Sequence, residues 1–411
     1  MPNITHFEQN QGLYVVEGPF DGTLLSICIK AGCEAEPEGK NGLAHLVEHI
    51  CLAYRNHDPI LEKYNSEYKQ LGFHFSGYTN YGLTVLNISF PSSAECLNCC
   101  VHLIKEILQA SIVNEDTFQI SKKEILAECN ILSERWRVQK EIINYITNGQ
   151  INILPVGDKD QIEQLTEEDV RSFINKFYIL TNMAFIIQTS LSLQTVKNAV
   201  LGILFNNNEP LPKISAKEIA YLVNQPAEFY YLKSMNNIKK IELFFHKPYT
   251  HIDLKVKIVR MLFEIMLTDC IAKYLSYFKS ITDIQHITIS DRHITNYYYY
   301  HVISLYLQKG DCDMGTLMNE LIDHLRSYFF TVNDFEEAKR SISTLSMQSS
   351  DLSMEHIFDN LSANFFYDEP MHITADHFEE ILNILGDLKS DDVNIYKNLV
   401  LSAPCKVVIE N

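Results

Sequence analysis

The run Gly42-Leu43-Ala44-His45-Leu46-Val47-Glu48-His49 constrains this chain more than any other stretch. His45, Glu48 and His49 stand at i, i+3 and i+4, so on a helix all three share one face. Two neutral imidazole nitrogens with a carboxylate beside them suit a divalent metal that keeps one coordination position open. The order H-x-x-E-H is the inverse of the commoner zinc-protease arrangement. A fold for this chain must therefore present the octet as a helix and bring a third ligand to it from elsewhere.

The 411 residues are too many for one ordinary core and fit two domains of roughly 200 residues each. With 46% hydrophobic and 21% charged residues, the composition is globular and excludes disordered and fibrous classes. A formal charge of −18 excludes the basic footprint of a nucleic-acid binder. The opening from Met1 to Asn10 has no basic segment followed by an apolar run, so no signal peptide is expected. No apolar segment reaches the ~18 residues of a membrane span. Ten cysteines without framework spacing point to reduced thiols and to a cytoplasmic, most simply bacterial, protein. Cys96, Cys99 and Cys100 read as one apolar helix face rather than a metal cluster, because no second Cys/His pair complements them.

Residues 13–17 and 23–31 read as strands, followed by a polar loop into the motif helix. Glu62–Leu71 reads as a helix, Phe73–Thr79 and Leu83–Phe90 as strands, and Glu95–Leu108 as a helix. Asp116 to about Tyr145 reads as one long helical stretch, on which Glu124 and Glu128 share a face. Leu154-Pro155-Val156-Gly157 interrupts the pattern, and a capped helix to Phe177, a strand at Ala184–Thr189 and a helix at Leu193–Leu204 follow. Asn206–Pro212 is the best linker. Beyond it, Ile238–Phe245 and Tyr297–Leu307 read as strands, and His251–Phe278 and stretches near 313–330, 333–349 and 353–366 as helices.

The nine residues from Leu165 (Leu-Thr-Glu-Glu-Asp-Val-Arg-Ser-Phe) return in altered form from Leu388 (Leu-Lys-Ser-Asp-Asp-Val-Asn-Ile-Tyr). Each copy leads to a closing apolar strand, Ala184–Gln188 and Lys406–Glu410. The echo implies a duplicated chain, with domains 1–208 and 209–411. Strands and helices without strict alternation imply an α+β class: two homologous domains, each a largely antiparallel sheet packed with helices.

The third ligand candidate is Glu128. Glu124, one turn earlier, is either the alternative or a group orienting a histidine. Glu48 is placed to act as general base in metal-assisted peptide hydrolysis. His57, His74 and His102 read as ordinary core or surface histidines.

From Ala31 through Glu36-Pro37 and Gly39 to the octet, the sequence resembles the insulinase/pitrilysin (M16) metallopeptidases, which include the mitochondrial processing peptidases. The resemblance continues through Leu71–Thr79, Lys123–Glu128, Leu154–Gly157, Tyr178 and Asn182-Met183, and fades in the second half. It implies His45, His49 and Glu128 as ligands of one Zn2+ per chain and Glu48 as the catalytic base. The same ligands also accept manganese or cobalt. It further implies that the strand around Ser76 and Gly77 is an edge to which an extended peptide substrate adds.

The chain departs from the family pattern in four places. The spacing from His49 to Glu128 is a few residues long, Ser121 stands where a second glutamate is usual, and Ser76-Gly77 replaces Asn-Ala. The family's substrate-contacting Arg and Tyr have no counterpart in Leu275–Ile281, and nearby Arg292 and Tyr297–Tyr300 read as part of a buried or interface aromatic strand. The length matches half-size members, which close around substrate only as pairs. The resemblance thus implies a zinc endopeptidase subunit acting on short or unstructured peptides in a two-subunit chamber, such as leader or bacteriocin precursors. The partner is a related subunit supplying Arg and Tyr, with a homodimer as the fallback. The alternative is a non-catalytic peptide-binding or assembly subunit of the same fold.

Overall fold

The computed structural model describes residues 3–6, 12–53, 73–131, 134–204, 227–232, 238–247, 253–277, 284–293, 298–308, 313–348, 358, 361–362, 364–366 and 376–410. The helix expected at Glu62–Leu71, the linker at Asn206–Pro212, His57 and most of the stretch near 353–366 lie outside the described residues. The chain forms two compact units. The first takes Met1–Lys140, Ile153–Ile214 and Ser353–Thr374; the second takes Glu141–Asn152, Ser215–Leu352 and Ala375–Asn411.

The first unit is built on six strands: β1 (Asn3–His6), β2 (Leu13–Glu17), β3 (Thr23–Ile29), β4 (His74–Thr79), β5 (Thr84–Phe90) and β6 (Met183–Thr189). Their order is β1-β2-β6-β3-β5-β4, with β2 and β6 parallel and every other pair antiparallel. The central strands are apolar on both faces: all of β6 and nearly all of β3 are buried. Edge strand β4 alternates, with Phe75, Gly77 and Thr79 turned inward and His74, Ser76 and Tyr78 exposed.

The motif helix α1 (Leu43–Ala53) packs Leu43, Leu46, Val47 and Ile50 into the core with Leu25, Ile27 and Ile29 of β3. Around it lie α2 (Ala94–Leu108), capped by Ser93, and α3 (Glu115–Asn130), capped by Asn114 and Thr117 in a reciprocal box. The single helix expected from Asp116 to Tyr145 is two, α3 and α4 (Glu134–Ile146). Ile131 closes α3 with its N–H on the Glu128 carbonyl, so the turn that carries Glu128 is the last of α3. Helices α5 (Lys159–Gln164), α6 (Glu167–Phe177) and α7 (Leu193–Leu204) complete the set before the second half.

The second unit has strands β7 (Glu228–Leu232), β8 (Ile238–Lys247), β9 (Ile284–His293), β10 (Tyr299–Gln308) and β11 (Cys405–Glu410). Its helices are α8 (Leu254–Ser276), α9 (Met314–Ser327), α10 (Val332–Gln348), α11 (Asp376–Asp387) and α12 (Ser390–Leu401). The strand order is β7-β11-β8-β10-β9, with β7 and β11 parallel and the rest antiparallel. This repeats β2-β6-β3-β5-β4 strand for strand, in the same chain order and with the same single parallel pair. The repeated nine residues fall on α6 and α12, where Asp169 and Asp392 each accept a hydrogen bond from the backbone N–H three residues earlier, at 2.9 Å. Helix α8 therefore corresponds to α1, and the hairpin β9–β10 to β4–β5. The α+β architecture is that of two mixed sheets, each packed with helices.

Candidate metal centre

The start of α1 is set by the loop before it. Glu36 folds back so that its carboxylate accepts from the N–H of Gly42 (3.1 Å), the N–H of Ala44 (2.8 Å) and the Asn41 amide (2.8 Å). Two of the helix's otherwise orphaned donors are thereby satisfied by an acid at the positive end of the dipole. Asn41 also donates to the Leu154 carbonyl at 3.0 Å, tying the loop to the Leu154–Gly157 turn. Gly42 and Gly157, at φ of +105° and +95°, touch back to back: a Cβ on Gly157 would lie 2.6 Å from the Gly42 Cα.

That turn aims the Val156 carbonyl at His45, whose Nδ1 lies 3.2 Å from it. With the Nδ1 proton so engaged, Nε2 carries the lone pair and faces Glu128, 3.4 Å from Oε2. His49 mirrors the arrangement: its Nδ1 is 3.1 Å from Glu124 Oε2 and its Nε2 is 3.5 Å from Glu128 Oε1. The two rings meet edge to face, centroids 4.7 Å apart. Burial, and secondarily the charge of His49, push His45 down to about 4, which keeps its ring neutral at physiological pH. Glu124 and Glu128 project from α3 and are half exposed, so the side of the site opposite α1 is open.

Glu48, on the same helix face, has its carboxylate against β4 and is 4% exposed. Its Oε2 accepts from the Thr79 hydroxyl at 2.7 Å, while a Cβ on Gly77 would stand 2.9 Å from Oε1. Burial raises the Glu48 carboxyl above its ordinary range. Gly77 is thus the inward residue of the edge strand next to the carboxylate, and Ser76 is on the solvent side. The sequence reading assigned no role to Glu36, Asn41, Thr79 or Val156; Val156 acts through its backbone, which residue type does not reveal.

The donor set fits a divalent metal. The ligand atoms of His45, His49 and Glu128 lie within 4.8 Å of one another. Their N···O separations of 3.4 and 3.5 Å match a tetrahedral edge for ligands about 2.0–2.2 Å from zinc. Each imidazole has its outer nitrogen engaged, as ligating histidines do. Among the described residues one further trio, Glu264, Asp291 and His301, has comparable spacing. It lies on the second unit's counterpart of this region, but Asp291 already faces Lys247 and Arg260, each at 3.2 Å, and accepts from His301 at 2.7 Å. Two resident cations leave no place for a third. Cys96 and Cys100 are buried in the apolar core of the first unit. Arg292 pairs with Glu242 at 3.0 Å, Tyr300 is buried with its hydroxyl on the Ile146 carbonyl, and Tyr297 lies outside the described residues.

Residues 21–157 match the family model for insulinase, peptidase family M16. The chain is also 25% identical over 240 residues to a probable zinc protease, PqqL, of Haemophilus influenzae. Over residues 21–157 the chain thus belongs to peptidase family M16. The match to the Haemophilus protein covers 54% of this chain and spans only about a quarter of that relative, 25% of its length. The β subunit of the mitochondrial processing peptidase of Neurospora crassa is 24% identical over 173 residues, 39% of this chain and 34% of its own. The crystal structure of the first half of the periplasmic protease PqqL from Escherichia coli shares the fold, with a TM-score of 0.78 at 16% identity. That superposition covers 100% of this chain and 92% of that one. Among the described residues no helix is long and apolar enough to cross a membrane.

Proposed function

We propose that this M16 chain is the metal-bearing subunit of a zinc endopeptidase that hydrolyses short or unstructured peptides. The observation that carries the reading is the convergence of His45 Nε2 and His49 Nε2 on the two oxygens of Glu128, with Glu48 one residue from His49. Bound there, one zinc per chain would supply Lewis-acid polarisation of a carbonyl and a water of lowered pKa, roughly 7. The remaining chemistry belongs to the chain. Glu48 takes the proton of the attacking water and passes it to the departing amine. Glu124 holds His49 through Nδ1, as the Val156 carbonyl holds His45. An extended peptide pairs with the free edge of β4 near Ser76 and Gly77, through main-chain bonds that demand little of its side chains.

We further propose domains 1–208 and 209–411 and a two-part chamber, the second part being a related M16-like subunit that supplies the Arg and Tyr. The likeness of the whole chain to the first half of a longer protease supports this division of labour. A homodimer would place two metal-bearing subunits face to face instead. Ten scattered cysteines favour a reducing compartment, the cytoplasm, and the substrates proposed are peptide precursors whose leader is removed.

The test is cleavage of unstructured peptides by the purified protein with its neighbouring M16-like chain, and by a Glu48→Gln variant. Zinc-dependent cleavage lost in the variant is expected. Equal cleavage by Glu48→Gln would remove Glu48 from the mechanism, and no zinc with no cleavage would leave a peptide-binding subunit.

A further inference from the structure

Resting on the peptidase reading above, we propose that Thr79 is a positioning residue that fixes the plane of the Glu48 carboxylate, holding one oxygen on its hydroxyl and leaving the other to act as base. Among the described residues the Thr79 hydroxyl is the hydrogen-bond donor to this buried carboxylate, at 2.7 Å from Oε2. Its proton is free for that purpose. The nearby Thr84 hydroxyl, 3.3 Å away, commits its own proton to the Ala31 carbonyl at 2.8 Å.

Among the described residues Oε2 is therefore engaged and Oε1 is not. Oε1 faces Gly77, where a Cβ would intrude to 2.9 Å, so the absent side chain leaves room beside the uncommitted oxygen. Thr79 and Gly77 both lie on β4, the edge proposed to receive the peptide. The strand that docks substrate thus also sets the orientation of the base. A carboxylate without this donor would turn within the broad, roughly two-fold well of its terminal torsion, so neither oxygen would be held in place.

The experiment compares the full-length protein, together with its partner chain, as wild type, Thr79→Val and Thr79→Ser. It reads kcat and KM on an unstructured peptide and zinc per chain. Thr79→Val is expected to lower kcat by about 10–100-fold, with KM and zinc content unchanged, as loss of a supporting hydrogen bond does. Thr79→Ser, which keeps the hydroxyl, restores kcat. A readout free of catalysis is the Tm of metal-free protein in the cycle Thr79→Val, Glu48→Met and the double variant, where the two shifts are expected to be non-additive. A cleaving, zinc-holding wild type whose kcat survives Thr79→Val, or a loss that serine does not restore, or additive Tm shifts, would overturn the positioning role alone. A wild type with neither zinc nor cleavage would overturn the peptidase reading, and this role with it.

Discussion

Replacing Glu36 by alanine tests how the motif helix is held. The carboxylate accepts from Gly42 N–H, Ala44 N–H and the Asn41 amide at 2.8–3.1 Å, and alanine leaves two backbone donors of the first turn without partners. Loss of a helix cap costs 0.5–2 kcal/mol, and each buried donor left unmade about 1–3, so a fall of about 2 kcal/mol is expected. In a unit of this size that lowers Tm by about 4–8 °C. Burial pushes the Glu36 carboxyl up to about 7 from an ordinary 4.5. The folded chain then holds this proton more tightly than the unfolded one. The contribution of Glu36 is therefore full below about pH 4.5, declines as pH rises and levels off above about 7. Differential scanning calorimetry of metal-free wild type and Glu36→Ala should thus show a larger deficit near pH 5 than near pH 8. Equal Tm values near pH 5 would refute the cap, and a deficit that grows with pH would refute the assigned direction of titration.

Two further outcomes follow from the geometry. Asp291→Asn leaves Lys247 and Arg260 without their shared carboxylate, and removing one partner of a buried ion pair costs about 3–5 kcal/mol in urea unfolding. Burial alone would raise the Asp291 carboxyl, but the hydrogen bond from His301 and the charges of Lys247 and Arg260 outweigh it and hold it well below the usual carboxylate range. Its stabilisation is therefore present above about pH 4 and lost as pH falls, a dependence the Asn variant should lack. Gly157→Ala forces a side chain into φ +95° and against the Gly42 Cα, an expected loss of about 2–5 kcal/mol in urea unfolding. Because Val156 adjoins it, zinc titration should show weaker binding as well.

The central strands of the first unit were legible because they are continuous apolar runs, and α1 because its apolar positions repeat at helical spacing. Strand β9 was not, since Ile-Gln-His-Ile-Thr-Ile-Ser-Asp-Arg-His carries charges that read as loop. One of them, Asp291, is drawn inside by Lys247 and Arg260, partners distant in sequence. The long helix expected after Asp116 ran on because its composition stays helical; the break at Ile131 has no Gly or Pro to announce it. At the site, His45, Glu48 and His49 declare themselves by local spacing. Glu36, Thr79 and the Val156 carbonyl do not, since their partners are chosen by tertiary packing and one of them is backbone.

Zinc content and coordination of the purified chain bear most directly on the central claim. X-ray absorption and metal analysis should give about one zinc per chain, bound by two imidazoles and one carboxylate, and lost in both His49→Ala and Glu128→Gln. A wild type without zinc, or zinc retained unchanged in both variants, would contradict it.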